Sequence, residues 1–195
     1  EQDLPPESRE YASALEHQAE KLRFLIDALV KTSRLESGVL AMTPKRHGIQ
    51  QLLDAASAQA APGAEAKAIT LTVEPTDLTA RFDPKWTAEA LYNLVDNAVK
   101  YTPAGGAVTL RAVGYELFCR VDVTDTGPGI PESEQARIFQ RFYRSPSASE
   151  AEGVGIGLYL ARQIAAGQGG YLKVSSRPGE GSTFSLFLPR AEERT

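Results

Sequence analysis

Two asparagines and a lysine have the spacing of a site for a metal ion and phosphates. Asn93 and Asn97 are four residues apart, so they share one face of a helix, and Lys100 follows three residues later. An amide oxygen is a hard, neutral ligand that suits Mg²⁺, and a lysine ammonium is a point charge for a phosphate. Asparagine is a mediocre helix former, yet two ordinary exposed helix residues are the alternative interpretation.

A carboxylate stands at the end of a predicted strand, just before a glycine-rich turn. Asp125 is followed by Gly127 and Gly129, and glycines let backbone approach a ligand closely. In that position a carboxylate accepts a hydrogen bond from an exocyclic amine such as that of adenine. Taken alone, the segment is also suitable for a plain tight turn, and short motifs of this kind often match by chance.

A third segment, from Gly153 to Leu158, has glycine at every second position and precedes a predicted helix. Such a loop presents free N–H groups and the positive end of the helix dipole to a phosphate. The spacing is not that of a Rossmann fingerprint, and no Gly-Lys-Ser/Thr follows as in a Walker loop. A merely flexible glycine loop is the alternative.

Helices and strands must bring these segments together. Alternating apolar residues predict strands over 69–73, 78–82, 108–113, 117–125, 171–175 and 183–188. Helical spacing predicts helices over 10–37, 48–61 and 159–166, with another opened by Asp83 and Pro84. Residues 128–157 are expected to form a long connection without strong regular structure, and such a connection in a compact domain is usually functional. This order predicts an α/β fold, a two-layer sandwich of a mixed, mostly antiparallel sheet packed on helices, preceded by one long N-terminal helix.

Composition limits the class of protein. The 195 residues are 42% hydrophobic and 24% charged, with a net charge of −4, which argues against a general nucleic-acid surface. No apolar run is long enough to span a membrane, and no signal peptide is visible. The single cysteine, Cys119, cannot form an internal disulfide and is expected in the core. A cytoplasmic location is the expectation that follows.

Six segments in order resemble the motifs of the catalytic, ATP-binding half of a bacterial two-component sensor histidine kinase. They are 93–103 for the N box, 125–130 for the first glycine box, 138–144 for the F box, 153–158 for the second glycine box, 179–189 for the last glycine box and strand, and 33–38 for the end of the second dimerisation helix. The matches cover nearly the whole chain, and residues 128–157 resemble the ATP lid. The resemblance implies two parts, a partial dimerisation segment over 1–40 and an ATP-binding domain over 41–195.

The resemblance also implies a role for each site residue. Asp125 would bind the adenine amine, with Gly127 and Gly129 shaping the adjacent wall. Asn93 would be the Mg²⁺ ligand, and Tyr101 would stack on the base or ribose. Asn97 and Lys100 would help to bind the phosphates, and Gly155 and Gly157 would line them. The remaining implied nucleotide-binding residues are Ile130, Gly153, Leu158 and Thr183. Arg144 either stabilises the transferred charge or is a solvated charge of the lid.

The implied activity is transfer of the γ-phosphoryl group of ATP, with Mg²⁺, to a histidine. Neither His17 nor His47 has the sequence context of the family's phosphoacceptor, so both are expected at the surface and the chain is expected to be a fragment of a longer kinase. The implied partners are the phosphoacceptor helix of that kinase and a response regulator receiver domain. A homodimer through residues 10–37 is an option, since Tyr11, Leu15, Leu22 and Leu29 follow a heptad seam. The parent protein is expected to be membrane-anchored outside this chain, and no nucleic acid is expected as a partner.

Three other functions compete with this one. An ATP hydrolase of the gyrase and mismatch-repair type shares the pocket, but it needs a general base where this chain has Asn93, and an amide accepts no proton from water at neutral pH. A non-catalytic interaction module is opposed by the intact Asn93, Asp125 and Gly155. A serine kinase acting on anti-sigma antagonists fits the segment 10–37 poorly.

Overall fold

One long helix precedes a sandwich of helices and sheet. The computed structural model describes residues 6–36, 41–145 and 154–191, and its first element is α1 (Pro6–Glu36). Large apolar side chains of α1 are exposed at helical spacing: Tyr11, Leu15, Leu22, Ile26, Leu29 and Val30. The helix packs on the later helix at residues 157–167, and its Lys31 forms an ion pair with Glu89 that is 2.5 Å long. Within the described ranges, the length and hydropathy needed to cross a bilayer do not occur together in any helix.

In the described ranges, seven strands form a large and a small sheet. They are β1 (Lys45–Gly48), β2 (Thr70–Val73), β3 (Thr79–Phe82), β4 (Ala107–Gly114), β5 (Phe118–Asp125), β6 (Tyr171–Arg177) and β7 (Gly181–Pro189). The large sheet has the order β2-β4-β5-β7-β6, and β1 pairs with β3 alone. Only the β2–β4 pair of the large sheet is parallel, so the sheet is mixed and mostly antiparallel as predicted.

Helices cover one face of the large sheet. The further helices are α2 (Ile49–Ala66), α3 (Pro84–Tyr101), the one-turn α4 (Glu132–Gln135) and α5 (Gly157–Gly167), with a 3₁₀ turn at Arg137–Phe139. Helix α3 packs between α2 and α5. Its residues Leu91, Leu94 and Val95 are fully buried in the core, as is Cys119 on β5, whose pKa burial raises to about 11.

The start of α3 is fixed by Asp83. One carboxylate oxygen accepts from the backbone N–H groups of Lys85 and Trp86 at 3.1 and 3.2 Å, which satisfies donors that a helix start leaves without partners. The other oxygen accepts from the backbone N–H of Thr43 at 3.0 Å. The same side chain therefore caps the helix and holds the segment that leads from α1 into β1.

The end of α3 is fixed by a lysine. The Lys67 ammonium donates to the carbonyl oxygens of Val99 and Lys100 at 2.9 and 2.8 Å, and a cation at this end also complements the helix dipole. Thr102 donates its hydroxyl back to the carbonyl of Ala98 at 2.6 Å. Both ends of the helix that carries Asn93 and Asn97 are thus held by side chains.

The structure confirms the predicted fold class and differs from the prediction in three places. His47 lies in β1 rather than in a connection, and it is half-buried with its ring 5.3 Å from that of Phe82, so it is not a surface histidine. Helix α2 continues past Pro62, because Ala60 and Ala64 on either side are buried and offset the lost backbone donor. The connection over 128–157 contains α4 and the 3₁₀ turn, since Ile138 and Phe139 are buried in the core. The side chain of His17 lies outside the described residues.

Candidate functional site

A cavity of about 760 Å³ lies between α3, the end of β5, the segment after it and the start of α5. This volume is typical of a site for a small molecule. The cavity is lined by eleven of the fourteen residues that the sequence nominated: Asn93, Asn97, Lys100, Tyr101, Asp125, Gly129, Ile130, Arg144, Gly155, Gly157 and Leu158. Gly153 lies outside the described residues, and Gly127 and Thr183 do not line the cavity.

Asn93 has an orientation that suits a metal ligand. Its amide nitrogen donates to the carbonyl of Glu89 at 3.0 Å, which leaves the amide oxygen turned toward the start of α5. A Cβ added at Gly157 would lie 2.9 Å from that oxygen, so glycine keeps the space in front of it open. Mg²⁺ usually takes one or two protein oxygens and fills its shell with phosphate and water, and an amide oxygen at this point fits that role.

The face of α3 that borders the cavity carries a fourth polar residue, which the sequence reasoning missed. Asp96 lies three residues after Asn93 and four before Lys100, so the same helical spacing that selected the asparagines also includes it. Burial raises the pKa of Asp96, and Lys100 and a hydrogen bond from Tyr92 oppose that rise. A carboxylate and an ammonium are therefore adjacent on this wall of the cavity.

Tyr101 lies close to charged side chains of the cavity, namely Lys100, Asp96 and Arg144. Its ring centroid is 5.5 Å from the Lys100 ammonium, within the range of a cation–π contact. Burial raises the pKa of the Tyr101 hydroxyl; Arg144 lowers it and Asp96 raises it further. Arg144 thus acts on the same part of the cavity as α3, although it belongs to the segment after β5.

Asp125 is a buried carboxylate at the other end of the cavity. Only 5% of the residue is exposed, and one carboxylate oxygen accepts from the backbone N–H of Gly127 at 2.8 Å. Burial raises the pKa of Asp125, and hydrogen bonds from the backbone of Gly127 and Ser182 limit the rise. A Cβ at Gly127 would lie 2.7 Å from this carboxylate, so Gly127 acts by making room for Asp125 and not by bordering the cavity.

The glycine loop and the F-box segment pack back to back. Gly155 has a φ of +74°, and a Cβ there would lie 2.5 Å from the carbonyl oxygen of Tyr143. The backbone N–H of Phe142 donates to the carbonyl of Gly155 at 2.9 Å. Helix α5 then begins at Gly157 without a side-chain cap, so its first N–H groups and its dipole are available to an anion.

The location of Thr183 corrects one expectation. Side chains alternate along β7, so Ser182 and Phe184 border the cavity while Thr183 lies on the other face of the sheet. There its hydroxyl is 3.0 Å from that of Thr124. Ser182 is the residue of β7 that alternation alone would have selected for the cavity.

Tyr143 is a further residue that the sequence reasoning did not nominate. It borders the cavity, and among the described atoms its hydroxyl is buried without a hydrogen-bond partner. The Arg137 guanidinium covers its ring, with Cζ 4.7 Å from the ring centroid. A buried polar atom without a partner is costly, and a ligand in the cavity is one source of the missing hydrogen bond.

Comparison with known proteins identifies the family. The model described as "Histidine kinase-, DNA gyrase B-, and HSP90-like ATPase" matches residues 82–192, more than half of the chain. The chain belongs to this family of ATP-binding domains, which confirms the resemblance drawn from its motifs.

Among the similar proteins are a histidine kinase and a sensor protein. The chain is 33% identical over 192 residues to "Circadian input-output histidine kinase CikA" of Synechococcus elongatus, covering 95% of this chain and 26% of that protein. It is 35% identical over 187 residues to "Sensor protein DivL" of Caulobacter vibrioides, covering 95% and 24%. The chain therefore spans about a quarter of the length of these relatives and corresponds to their histidine kinase catalytic region.

Solved structures show the same architecture. Full-length ShkA in complex with AMPPNP matches 99% of this chain and 41% of that chain, with a TM-score of 0.83 and 28% identity. The nucleotide-free catalytic domain of the histidine kinase ThkA matches 78% of this chain and all of that chain, with a TM-score of 0.66 and 24% identity. The long helix and the sandwich together thus have a counterpart in full-length ShkA.

Proposed function

We propose that this chain binds ATP with Mg²⁺ and donates the γ-phosphoryl group to a histidine on a dimerisation domain, as part of two-component signalling. The observation that carries the proposal is the arrangement of the cavity. A buried carboxylate, Asp125, stands at one end, and the uncapped start of α5 faces the amide oxygen of Asn93 at the other.

Adenine fits the end of the cavity at Asp125. A carboxylate that is 5% exposed and fixed by the N–H of Gly127 accepts a hydrogen bond from an exocyclic amine with little loss of freedom. Ile130, Ile138 and Phe184 give this end an apolar lining, which suits the faces of a purine ring. Gly129 shapes this wall through a φ of +72°, which an L side chain rarely adopts.

The phosphates fit the opposite end. The free N–H groups at the start of α5 and the Lys100 ammonium provide donors and positive charge. Asn97 borders the same space, and Asn93 would hold Mg²⁺ through its amide oxygen. The ion, when bound, neutralises charge on the phosphate oxygens as the phosphoryl group is transferred. Arg144 borders the cavity and would stabilise the same charge from the side of the lid.

The proposed acceptor and partners follow the domain organisation of the family. Residues 1–40 would be a partial dimerisation segment and 41–195 the ATP-binding domain. The apolar residues exposed along α1 provide a surface for the phosphoacceptor helix of the parent kinase or for a second copy of α1. A response regulator receiver domain would take the phosphoryl group from the histidine.

Hydrolysis of the gyrase type is the weaker proposal for this cavity. A water molecule attacking the γ-phosphate needs a general base, and the position on α3 that would supply it is Asn93, whose amide donates to the Glu89 carbonyl. A histidine on another domain brings its own nucleophile and needs no such base from this chain.

The test supplies the acceptor. The chain, incubated with γ-labelled ATP and Mg²⁺, is expected to remain unlabelled alone and to label an added dimerisation domain of a related kinase, in an acid-labile linkage. Asn93→Ala should abolish transfer while the fold is retained, because a metal ligand is lost.

Two results would contradict the proposal. Label on His17 of this chain, removed by His17→Ala, would mean that the acceptor lies within the chain. Release of free phosphate at the same rate with and without the added domain would instead favour a hydrolase.

A further inference from the structure

The sheet face turned away from the helices changes in chemistry from one end to the other. Strand register places side chains of β5, β7 and β6 in rows across this face. The first row is Arg120, Phe187 and Tyr171, and the second is Asp122, Ser185 and Lys173. The next row toward the ends of β5 and β6 carries only threonine and serine. We call the first two rows, with the flanking Phe118 and Tyr115, the aromatic end of the open face.

Four rings form one cluster at this end. Tyr171 and Phe187 are stacked with centroids 4.3 Å apart and planes 13° apart. Phe118 meets Tyr171 edge-on at 5.3 Å, and Tyr115, from the β4–β5 turn, lies 6.5 Å from Phe187. Cross-strand aromatic pairs stabilise a sheet, yet this cluster remains partly in solvent. Tyr115 is 44% exposed, and the adjacent Leu117 is 72% exposed.

Two cationic side chains form cation–π contacts with these rings. The Lys173 ammonium is 5.4 Å from the Tyr171 centroid and 5.7 Å from that of Phe187. The Arg120 guanidinium is 5.3 Å from the Tyr115 centroid and donates to its hydroxyl at 2.6 Å. The cluster therefore presents positive charge beside apolar surface.

The single carboxylate of the second row does not cancel this charge. Asp122 is 1% exposed and pairs with Arg120 at 2.8 Å and with Arg111 at 3.2 Å. Its other oxygen accepts from the Ser185 hydroxyl at 2.7 Å. Two guanidinium groups and one ammonium thus face one buried carboxylate, an excess of positive charge on a chain whose net charge is −4.

We propose that the aromatic end of the open face docks an acidic polypeptide segment that carries an apolar side chain between its carboxylates. Aromatic rings with arginine are the side chains that dominate the centres of protein interfaces. Carboxylates complement the excess of cations, and an apolar side chain complements Leu117 and the ring edges. A nucleic acid fits less well, because the rings stack on one another or lie under Lys173 and offer no open face to a base.

This surface is separate from the cavity. Alternation along β5 and β7 puts Asp122 and Phe187 on one face and Asp125 and Phe184 on the other. The inference therefore holds or fails without the proposed phosphoryl transfer, and variants on this face leave every group of the cavity in place.

The experiment uses three synthetic peptides with the full chain. The probes are the acidic EEWEELEE, its uncharged form QQWQQLQQ and the basic KKWKKLKK, titrated while backbone amide resonances are recorded. The acidic peptide is expected to shift resonances of β5, β6 and β7 at the aromatic end, and the uncharged peptide is not. Lys173→Glu should weaken the acidic peptide by about fivefold and strengthen the basic one, because repulsion replaces attraction.

Matched controls make the result decisive. Lys45→Glu makes the same charge change at an exposed position of β1 and should leave the affinity for the acidic peptide unchanged. ATP binding confirms that each variant is folded. Absence of shifts with the acidic peptide, or an equal loss with Lys45→Glu, would overturn the proposal. Stronger shifts with oligothymidylate than with the peptide would replace it with a nucleic-acid surface.

Discussion

At the scale of single residues, we expect Asp125 to decide which base the cavity accepts. Asp125 is a buried carboxylate fixed by the Gly127 N–H. We expect Asp125→Asn to lower ATP affinity by about 1–3 kcal/mol, because an amide donor then faces the exocyclic donor of adenine. Calorimetric titration with ATP measures the change.

The same strand offers a matched control for this substitution. Asp122→Asn makes an identical change at a carboxylate that is 1% exposed but lies on the other face of β5. It is expected to alter stability and to leave ATP affinity within error. Unchanged affinity in Asp125→Asn, or equal losses in both variants, would remove Asp125 from the adenine site.

The protonation of Asp125 gives a second prediction at this scale. Burial raises its pKa above the ordinary 3.8, and the ionised carboxylate is a stronger acceptor for the adenine amine than the neutral acid is. Adenosine affinity should therefore decline as the pH falls, beginning at a higher pH than for an ordinary aspartate. Adenosine carries no phosphate to titrate. The decline should vanish in Asp125→Asn and persist in Asp96→Asn; if Asp96→Asn removes it, the titrating group is Asp96.

The sequence predicted the residues that border the cavity where their spacing along a helix indicated a shared face. Helical spacing brought Asn93, Asn97 and Lys100 to one cavity wall, and the same rule, applied fully, would have included Asp96. Thr183 was nominated by its motif, although strand alternation assigns the cavity side to its neighbours Ser182 and Phe184. The unpartnered hydroxyl of Tyr143 depends on packing that no local pattern reports.

At the scale of elements, the segment after β5 has an anchored part and a projecting part. The Gln135 amide donates to the carbonyls of Ile130 and Ser176 at 3.0 and 2.9 Å, and Ile138 is buried. Phe142, by contrast, is 54% exposed and has a φ of +60°. The anchored part, which includes Gln135 and Ile138, should keep its position when nucleotide binds. The projecting part around Phe142 should become less accessible.

Limited trypsin digestion tests this division. A non-hydrolysable ATP analogue should slow cleavage after Arg141 and Arg144, which are exposed in the projecting part, and leave cleavage after Arg137 unchanged. Cleavage after the exposed Arg81 of β3 is the internal reference. Equal slowing at Arg137 would show that the whole segment closes as one unit, and no slowing at any site would count against a lid.

Elements with a long periodic pattern were predictable, and short ones were not. The capping pair Asp83 and Pro84 predicted the start of α3, and the structure places the helix there. Strand β1 has only four residues and exists because it pairs with β3, a partnership that local alternation does not encode. Pro62 indicates a helix end by its own chemistry, and the burial of Ala60 and Ala64 overrides it.

At the scale of the whole molecule, α1 leaves an apolar stripe without cover in the described part of the chain. Leu15, Leu22 and Ile26 are each more than half exposed, which is unusual for a monomer. We expect concentration-dependent self-association through α1, measured by sedimentation. Leu22→Glu with Ile26→Glu should abolish it, whereas Arg23→Glu on the same helix should not. Association that survives the double substitution would place the contact elsewhere.

Asp83 gives the molecule an uneven response to acid. Burial would raise its pKa, but hydrogen bonds from Thr43, Trp86 and Lys85 outweigh burial and lower it. Its contribution to stability is thus present above the ordinary pKa of 3.8 and is lost as the pH falls through the lowered value. Asp96 and the buried Asp125 have raised pKa values, so acid instead relieves the cost of their charge.

Protonation of Asp83 therefore destabilises the start of α3. Protonation of Asp96 and Asp125 instead removes an unfavourable charge from the cavity. In strong acid the contact between Thr43 and the start of α3 should open before the cavity does, because this contact depends on the ionised Asp83 side chain. Amide hydrogen exchange at Thr43, compared with the core residue Leu94, would record the order of events. The helix start that Asp83 caps and the segment that contains Thr43 would then loosen together, while the core around Leu94 stays folded.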